Sequence, residues 1–178
     1  MPALVSVFCL AYNHEKYIAR ALESMVCQQT DFPFEIIVHD DASTDRTADI
    51  LREYEARYPD KIRGVYETEN QFYNPNISII RDLMVPLSSG EFFAFCECDD
   101  SWNDPLKLQR QVDWLETHPD YSACVHNSVG RFSDQPDQVL FDELKRHGSR
   151  VDVLPPFSLK CLPTTLGVLR KFFKKRHG

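Results

Sequence analysis

The sequence predicts an α/β fold, a mostly parallel sheet with helices on both faces. Two observations carry this. Short β-rich apolar runs alternate with amphipathic stretches of helical period from residue 5 to about residue 126, an alternation that favours right-handed crossovers and a parallel sheet. The chain has 178 residues, enough for one domain with its own core, and no repeat or low-complexity segment breaks the pattern.

The first strand is residues 5–10 (Val-Ser-Val-Phe-Cys-Leu), an apolar run with β-branched residues. Asn13 is placed to cap the helix that follows, whose Tyr17, Ile18, Ala21, Leu22, Met25 and Val26 share a face. Residues 34–38 form a second strand ending at His39-Asp40-Asp41. Ser43, Thr44 and Asp45 offer caps for a second helix with Thr47, Ile50, Leu51, Tyr54 and Tyr58 as its stripe. A third strand is expected at residues 62–66 and a polar loop at 67–76. Ile77, Ile80, Met84 and Leu87 mark a third helix, closed by Ser88-Ser89-Gly90. Residues 92–96 form a fourth strand running into Glu97-Cys98-Asp99-Asp100. Asp104-Pro105 opens a fourth helix with Leu108, Val112 and Leu115 inward. Residues 121–125 form a fifth strand, residues 130–150 are mostly polar, and residues 164–169 suggest one more strand before a basic tail.

Composition narrows the function. Twenty basic against 27 acidic side chains leave a net charge of −7, which argues against a nucleic-acid partner and suits a divalent cation. No apolar run is long enough to span a bilayer, and Met1-Pro2-Ala3-Leu4-Val5 has no signal-peptide pattern. The scattered cysteines (Cys9, Cys27, Cys96, Cys98, Cys124, Cys161) suggest reduced thiols and a cytoplasmic location. Cys96-x-Cys98 lacks a second pair at zinc spacing. Asn76-Ile77-Ser78 matches a glycosylation acceptor, read as chance in a cytoplasmic chain.

Ligands of open α/β sheets bind outside the carboxyl ends of the strands. Two acidic clusters stand at such ends: Asp40-Asp41 after the second strand, and Glu97, Asp99 and Asp100 after the fourth. Carboxylates this close repel one another unless a cation or donors lie between them. A hard cation such as Mg²⁺ or Mn²⁺ takes oxygen ligands, and few carboxylates leave positions open for a diphosphate. Asp45 and Asp104 fit better as helix caps.

Three segments carry a family resemblance. Val5-Ser-Val-Phe-Cys-Leu-Ala-Tyr-Asn13 resembles the opening strand of family 2 glycosyltransferases, which have the Rossmann-like GT-A fold. Glu35-Ile-Ile-Val-His-Asp-Asp-Ala-Ser-Thr-Asp45, with Thr47, resembles their second strand and nucleotide-binding loop. Gly90-Glu-Phe-Phe-Ala-Phe-Cys-Glu-Cys-Asp-Asp-Ser-Trp102, followed by Asp104-Pro105, Lys107-Leu108 and Gln111-Val112, resembles their DxD-type motif and next helix. The three stand in order across roughly residues 4–126, which makes the match specific.

The resemblance implies an inverting transfer from a UDP- or GDP-linked sugar to a saccharide or lipid-linked acceptor in bacterial surface polysaccharide synthesis. It implies that Asp41, with Asp40 beside it, recognises the base or ribose, and that Tyr12 lines the base pocket. Asp99 and Asp100 would hold the ribose and a Mg²⁺ or Mn²⁺ ion bridging the diphosphate, and Arg81 would stand behind the donor site. The chain departs from the pattern twice. Glu97 replaces the first acid of the DxD motif, and glutamate still ligates cations. The family's catalytic base follows a strand resembling residues 164–171, so the base and the acceptor-side helix are expected beyond Gly178, and the single 1–178 domain reads as shortened. Glu143 and Asp152 have no motif around them. His126-Asn127 could face the acceptor, and a satisfied core histidine is an equal reading. The tail Arg170-Lys171-Phe172-Phe173-Lys174-Lys175-Arg176 could touch an anionic membrane surface at its inner face, or be a solvated end.

Two rivals fail. An oxidoreductase would show Gly-x-Gly-x-x-Gly after the first strand, where this chain has Ala11-Tyr12-Asn13-His14-Glu15. An aspartyl phosphotransferase would carry its acids there too. A non-catalytic domain that binds a nucleotide sugar without transferring it stays open as the alternative.

Overall fold

The computed structural model describes residues 2–125, 129–132, 135–139 and 168–170. Its elements in chain order are β1 (Val5–Ala11), α1 (Ile18–Val26), β2 (Phe34–Asp40), α2 (Thr47–Arg57), β3 (Ile62–Tyr66), β4 (Phe92–Phe95), α3 (Lys107–Thr117), β5 (Ala123–Cys124), β6 (Val129–Phe132), β7 (Gln135–Val139) and β8 (Val168–Arg170). The main sheet runs β3-β2-β1-β4-β8-β5. β3, β2, β1 and β4 are mutually parallel, and β8 is antiparallel to both β4 and β5. This is the mostly parallel α/β sheet expected.

Alternation along β1 sorts the core into two layers. Val5, Val7, Cys9 and Ala11 face α1, α2 and α3, meeting Leu22, Met25, Leu51, Leu108 and Leu115. Phe8 points the other way, joining Ile37, Phe93 and Phe95 under Ile80 and Met84. The Phe8 ring stands 4.9 Å from that of Phe93 and 5.7 Å from that of Phe95. Burying each such side chain contributes about 1.5–3 kcal/mol, so both layers tie β1 to β4. At the base of the sheet Gly90 passes so close to β1 that a Cβ would lie 2.5 Å from the Ser6 nitrogen. Its N–H donates to Ser6 Oγ at 2.9 Å.

The expected third helix is not an α-helix. Ile79–Met84 forms a wide π-type turn, and Val85–Leu87 a tight 3₁₀ turn. Pro86 explains this, because it has no N–H and its ring would strike the carbonyl four residues back. Within the stretch read only as mostly polar, β6 pairs antiparallel with β7. The fifth strand is cut to two residues, and the last one is described at residues 168–170, overlapping the expected 164–169, whose first four residues lie outside the described ones. Asn13 does not cap α1, whose N-cap position is Tyr17. Asp45 and Asp104 do not occupy the cap positions of α2 and α3, which are Arg46 and Leu106, but each closes the turn just ahead of its helix: Asp45 Oδ1 accepts the Thr47 N–H at 2.9 Å and Asp104 Oδ1 the Leu106 N–H at 2.9 Å. His126-Asn127, Glu143, Asp152 and the tail beyond Arg170 lie outside the described residues. No helix among the described residues is long and apolar enough to cross a membrane.

Candidate functional site

Because β1 lies between β2 and β4, the two acidic strand ends flank the end of β1. Asp41 N–H donates to Ala11 O at 2.9 Å on one side, and Cys98 N–H donates to Leu10 O at 3.0 Å on the other. One strand spacing on either side of β1 separates the two ends, roughly 10 Å in all. Tyr12 follows directly between them and is exposed.

The loops after β1 and β2 are latched together. Asn13 Oδ1 accepts the Thr44 N–H at 2.8 Å, and Ser43 Oγ accepts the Asn13 N–H at 2.9 Å. Thr47 Oγ1 accepts the His14 N–H at 2.7 Å, Asp45 Oδ2 the Glu15 N–H at 3.0 Å, and Glu15 Oε2 the Arg46 N–H at 3.2 Å. Among the described residues the non-glycines with positive φ are Asn13 (56°) and Ala42 (60°), one in each loop. Left-handed backbone costs about 1–2 kcal/mol for a residue with a Cβ, so this latch holds a shape the chain would not choose locally.

At the β2 end the acids are buried. Asp41 is occupied: Gln71 N–H donates to its Oδ1 at 2.7 Å and Phe72 N–H to its Oδ2 at 3.0 Å. Asp40 Oδ2 receives a long bond of 3.4 Å from Ser43 N–H, while its Oδ1 is buried without a partner among the described residues. His39 beneath them is fully buried, and burial lowers its pKa against the pull of Asp41 and Glu67. Its Nε2 lies 3.4 Å from Glu67 Oε1 without the alignment of a hydrogen bond.

At the β4 end the acids are open. Glu97 is half-buried, Asp99 and Asp100 are exposed, and none of their carboxylates has a hydrogen-bond donor among the described residues. Burial, then the charges of Asp99 and Asp100, raise Glu97 above the ordinary carboxylate value. Burial and Asp99 do the same to Asp100. This negative charge, offset only in part by His14, is what a hard cation relieves, and all three groups offer oxygen donors. The donor chemistry therefore fits Mg²⁺ or Mn²⁺. No three His, Cys, Asp or Glu side chains among the described residues converge as a ready metal cage, so a cation here would need the carboxylates to close in or a diphosphate to complete its shell.

A buried layer supports these acids. His14, with Nδ1 buried and unpartnered among the described residues, is held above its ordinary pKa by the adjacent Cys98 thiol and the charges of Asp99 and Glu97, against burial. Burial pushes the Cys98 thiol up, but the Cys9 thiol and His14 outweigh it and the net shift is downward. Lys107 Nζ donates to Gln111 Oε1 at 2.8 Å and lies 4.0 Å from the Trp102 ring centre. Burial lowers its pKa to about 8. Gln28 accepts the Leu108 N–H at 3.1 Å and donates to Asp104 O at 2.9 Å, tying α1 to α3.

The sequence pattern of glycosyl transferase family 2 matches residues 6–176. The chain belongs to that family. An uncharacterized protein of Mycobacterium tuberculosis is 37% identical over 154 residues, covering 86% of this chain and 40% of its own length. The putative teichuronic acid biosynthesis glycosyltransferase TuaG of Bacillus subtilis is 35% identical over 148 residues, covering 79% of this chain and 56% of its own. The glycosyltransferase chain thus spans about half the length of the curated relatives it matches. Among solved structures, mannosyltransferase PcManGT of Pyrobaculum calidifontis, in complex with GDP-Man and Mn²⁺, superposes with a TM-score of 0.57 at 27% identity, covering 69% of this chain and 35% of that one. TarS of S. aureus in complex with UDP gives 0.54 at 28% identity, covering 76% and 38%. The fold is GT-A.

Within this glycosyltransferase fold the expected residues separate. Tyr12, Asp40, Asp41, Glu97, Asp99 and Asp100 gather around the end of β1. Arg81 is exposed on the π-type turn, where its Nε lies 2.7 Å and its Nη2 2.8 Å from the carboxylate of Asp82. Reading the sequence gave no role to His14, Lys107 or the Phe72-Tyr73 pair. His14 had a usable signal, standing three residues past the last residue of β1. Lys107 sat inside a recognised motif, but its burial is a tertiary fact.

Proposed function

We propose that this chain is the donor-binding part of an inverting glycosyltransferase acting in cell-surface polysaccharide synthesis. The donor is a UDP- or GDP-linked sugar, and the acceptor is a saccharide or lipid-linked hydroxyl met at the inner face of the membrane. The observation that carries this is the open, mutually repelling set Glu97, Asp99 and Asp100, one strand away from the latched loops of Tyr12 and Asp40-Asp41. The relatives' names support polysaccharide synthesis, and the neighbours' complexes support nucleotide-sugar binding.

Asp41 and Asp40 orient the base or ribose, Tyr12 borders the base, and Asp99 reaches the ribose. Arg81 would have to leave Asp82 to meet the donor. Asp99 and Asp100, with Glu97, would hold Mg²⁺ or Mn²⁺, which supplies neutralising charge to the departing diphosphate. Transfer is one displacement: the acceptor oxygen bonds to the anomeric carbon, the bond to the diphosphate breaks, and the acceptor proton passes to a carboxylate base. No described residue is assigned as that base. A non-catalytic chain that binds the donor without transferring its sugar is the second reading. Transfer or donor hydrolysis separates the two.

Calorimetric titration of UDP and GDP, with and without Mn²⁺, tests the donor site. Native protein should bind one of them in a metal-dependent way, and Asp100→Ala should weaken this at least about 100-fold, as loss of a direct ligand exceeds loss of its outer shell. Native protein that binds neither nucleotide overturns the assignment.

A further inference from the structure

Three large exposed aromatics border Asp41. Tyr12 is 46% exposed, Phe72 69% and Tyr73 86%. Tyr12 follows the residue whose carbonyl accepts the Asp41 N–H. Phe72 gives its own N–H to the Asp41 carboxylate, and Tyr73 stacks edge-on against it with ring centres 5.0 Å apart. Single exposed hydrophobics are ordinary, but a group of rings around a buried carboxylate at the ligand end of a parallel sheet is informative.

The loop is fixed by Asp41 itself. The carboxylate takes the N–H groups of Gln71 and Phe72, and the Asp41 carbonyl takes the Asn70 side-chain amide at 3.3 Å. Asn74 N–H closes back on Gln71 O at 3.0 Å, making a turn that carries both rings. A carboxylate has about four lone-pair sites, so two backbone donors leave capacity for the N–H edge of a ligand. Uracil and guanine both combine such an edge with a flat π face.

We propose that Phe72 and Tyr73 are base-binding residues of the nucleotide site, stacking on the base, and that Asp41 acts on them as a positioning residue. This rests on the donor reading above. It differs from a purely structural role for the loop, because it ties the exposed rings to base binding and not to diphosphate binding.

The test uses the full chain and titrates UDP, GDP and inorganic pyrophosphate in Mn²⁺. Phe72→Ala and Tyr73→Ala should each weaken nucleotide binding ~5- to 150-fold, the range for one base–aromatic stack, while leaving pyrophosphate binding unchanged. Phe72→Trp should restore it. Chymotrypsin cleavage after Phe72 or Tyr73, without ligand, should be several-fold faster in Asp41→Ala than in native protein. A Phe72→Ala/Tyr73→Ala double variant that binds nucleotide as native protein does overturns the proposal. Unchanged cleavage in Asp41→Ala overturns the positioning role. Native protein that binds pyrophosphate but neither nucleotide overturns the donor reading together with this one, a result distinct from normal binding by the double variant.

Discussion

The ends of β2 and β4 carry the same kind of sequence, a strand running into adjacent acids, yet fold into opposite states. At the β2 end Asp41 is buried and both oxygens hold backbone N–H groups of residues 71 and 72. At the β4 end Asp99 and Asp100 are exposed without donors among the described residues, their charges add to burial in raising the pKa of Glu97, and Asp99 adds to burial in raising that of Asp100. The buried base beneath each end differs too: His39 is held toward its neutral form, while Lys107 is lowered only to about 8 and stays largely charged at neutral pH. One acidic end is built into the fold. The other is left in deficit, and a deficit of this kind marks a place where a ligand completes the structure.

The largest effect expected from this contrast belongs to Lys107. Its folded pKa lies below the ordinary 10.5, so between about pH 8 and 10.5 the unfolded chain binds more protons than the folded one. Its contribution to stability therefore rises with pH across that window, by up to about 3 kcal/mol. Urea unfolding at about pH 7.5 and about pH 10 should show this rise in native protein relative to Lys107→Met. Parallel curves for the two proteins would refute a buried, titrating amine.

Next comes the acid swap itself. Asp41→Ala should destabilise the fold by about 1–3 kcal/mol, because two amide donors lose their acceptor. Asp99→Asn should stay within about 0.5 kcal/mol of native and on the stabilising side, since it removes repulsion at an exposed position. Equal losses from both, read by urea unfolding without metal, would erase the distinction between the two ends. With Mn²⁺ and nucleotide present the ranking of Asp99→Asn should invert, and its thermal shift on ligand addition should fall below that of native protein.

The smallest effect is at Asp45. Burial alone would raise its carboxyl, but the hydroxyl and amide of Thr47 and the amide of Glu15 outweigh it and hold the pKa below the ordinary 3.8. A lowered folded pKa means the contribution is present above that ordinary value and lost as pH falls through the folded one. Asp45→Ala should cost about 1 kcal/mol at neutral pH, because the amides of Thr47 and Glu15 lose their acceptor, and the gap to native protein should close in acid. A gap that persists in acid would show that Asp45 does not act through its charge.

Much of this was legible in the sequence, for identifiable reasons. β1, β2, β3 and β4 are continuous apolar runs, and α1 to α3 carry a clear stripe, so burial and period coincide. The π-type turn at Ile79–Met84 carries a helical signal because Ile80 and Met84 keep helical spacing, while the break comes from Pro86, which lies outside that spacing. The pairing of β6 with β7 leaves no sequence signal because Gln135-Pro-Asp-Gln-Val139 has little strand character and is set by pairing rather than propensity. At the site, the acids were legible as acids. Which of them are spoken for was not, because the donors to Asp41 come from residues 71 and 72, some 30 positions away in a loop that reads only as polar.

The latch between the loops after β1 and β2 has a thermodynamic consequence. Ordering a backbone residue takes about 1–2 kcal/mol of entropy, and here that ordering occurs when the chain folds, through Asn13, Ser43, Thr44, Asp45 and Thr47. A nucleotide then meets a surface already set. Its heat-capacity change on binding should match the apolar area it covers, with no added component from loop folding, and its association should be a single fast phase without a slow rearrangement behind it.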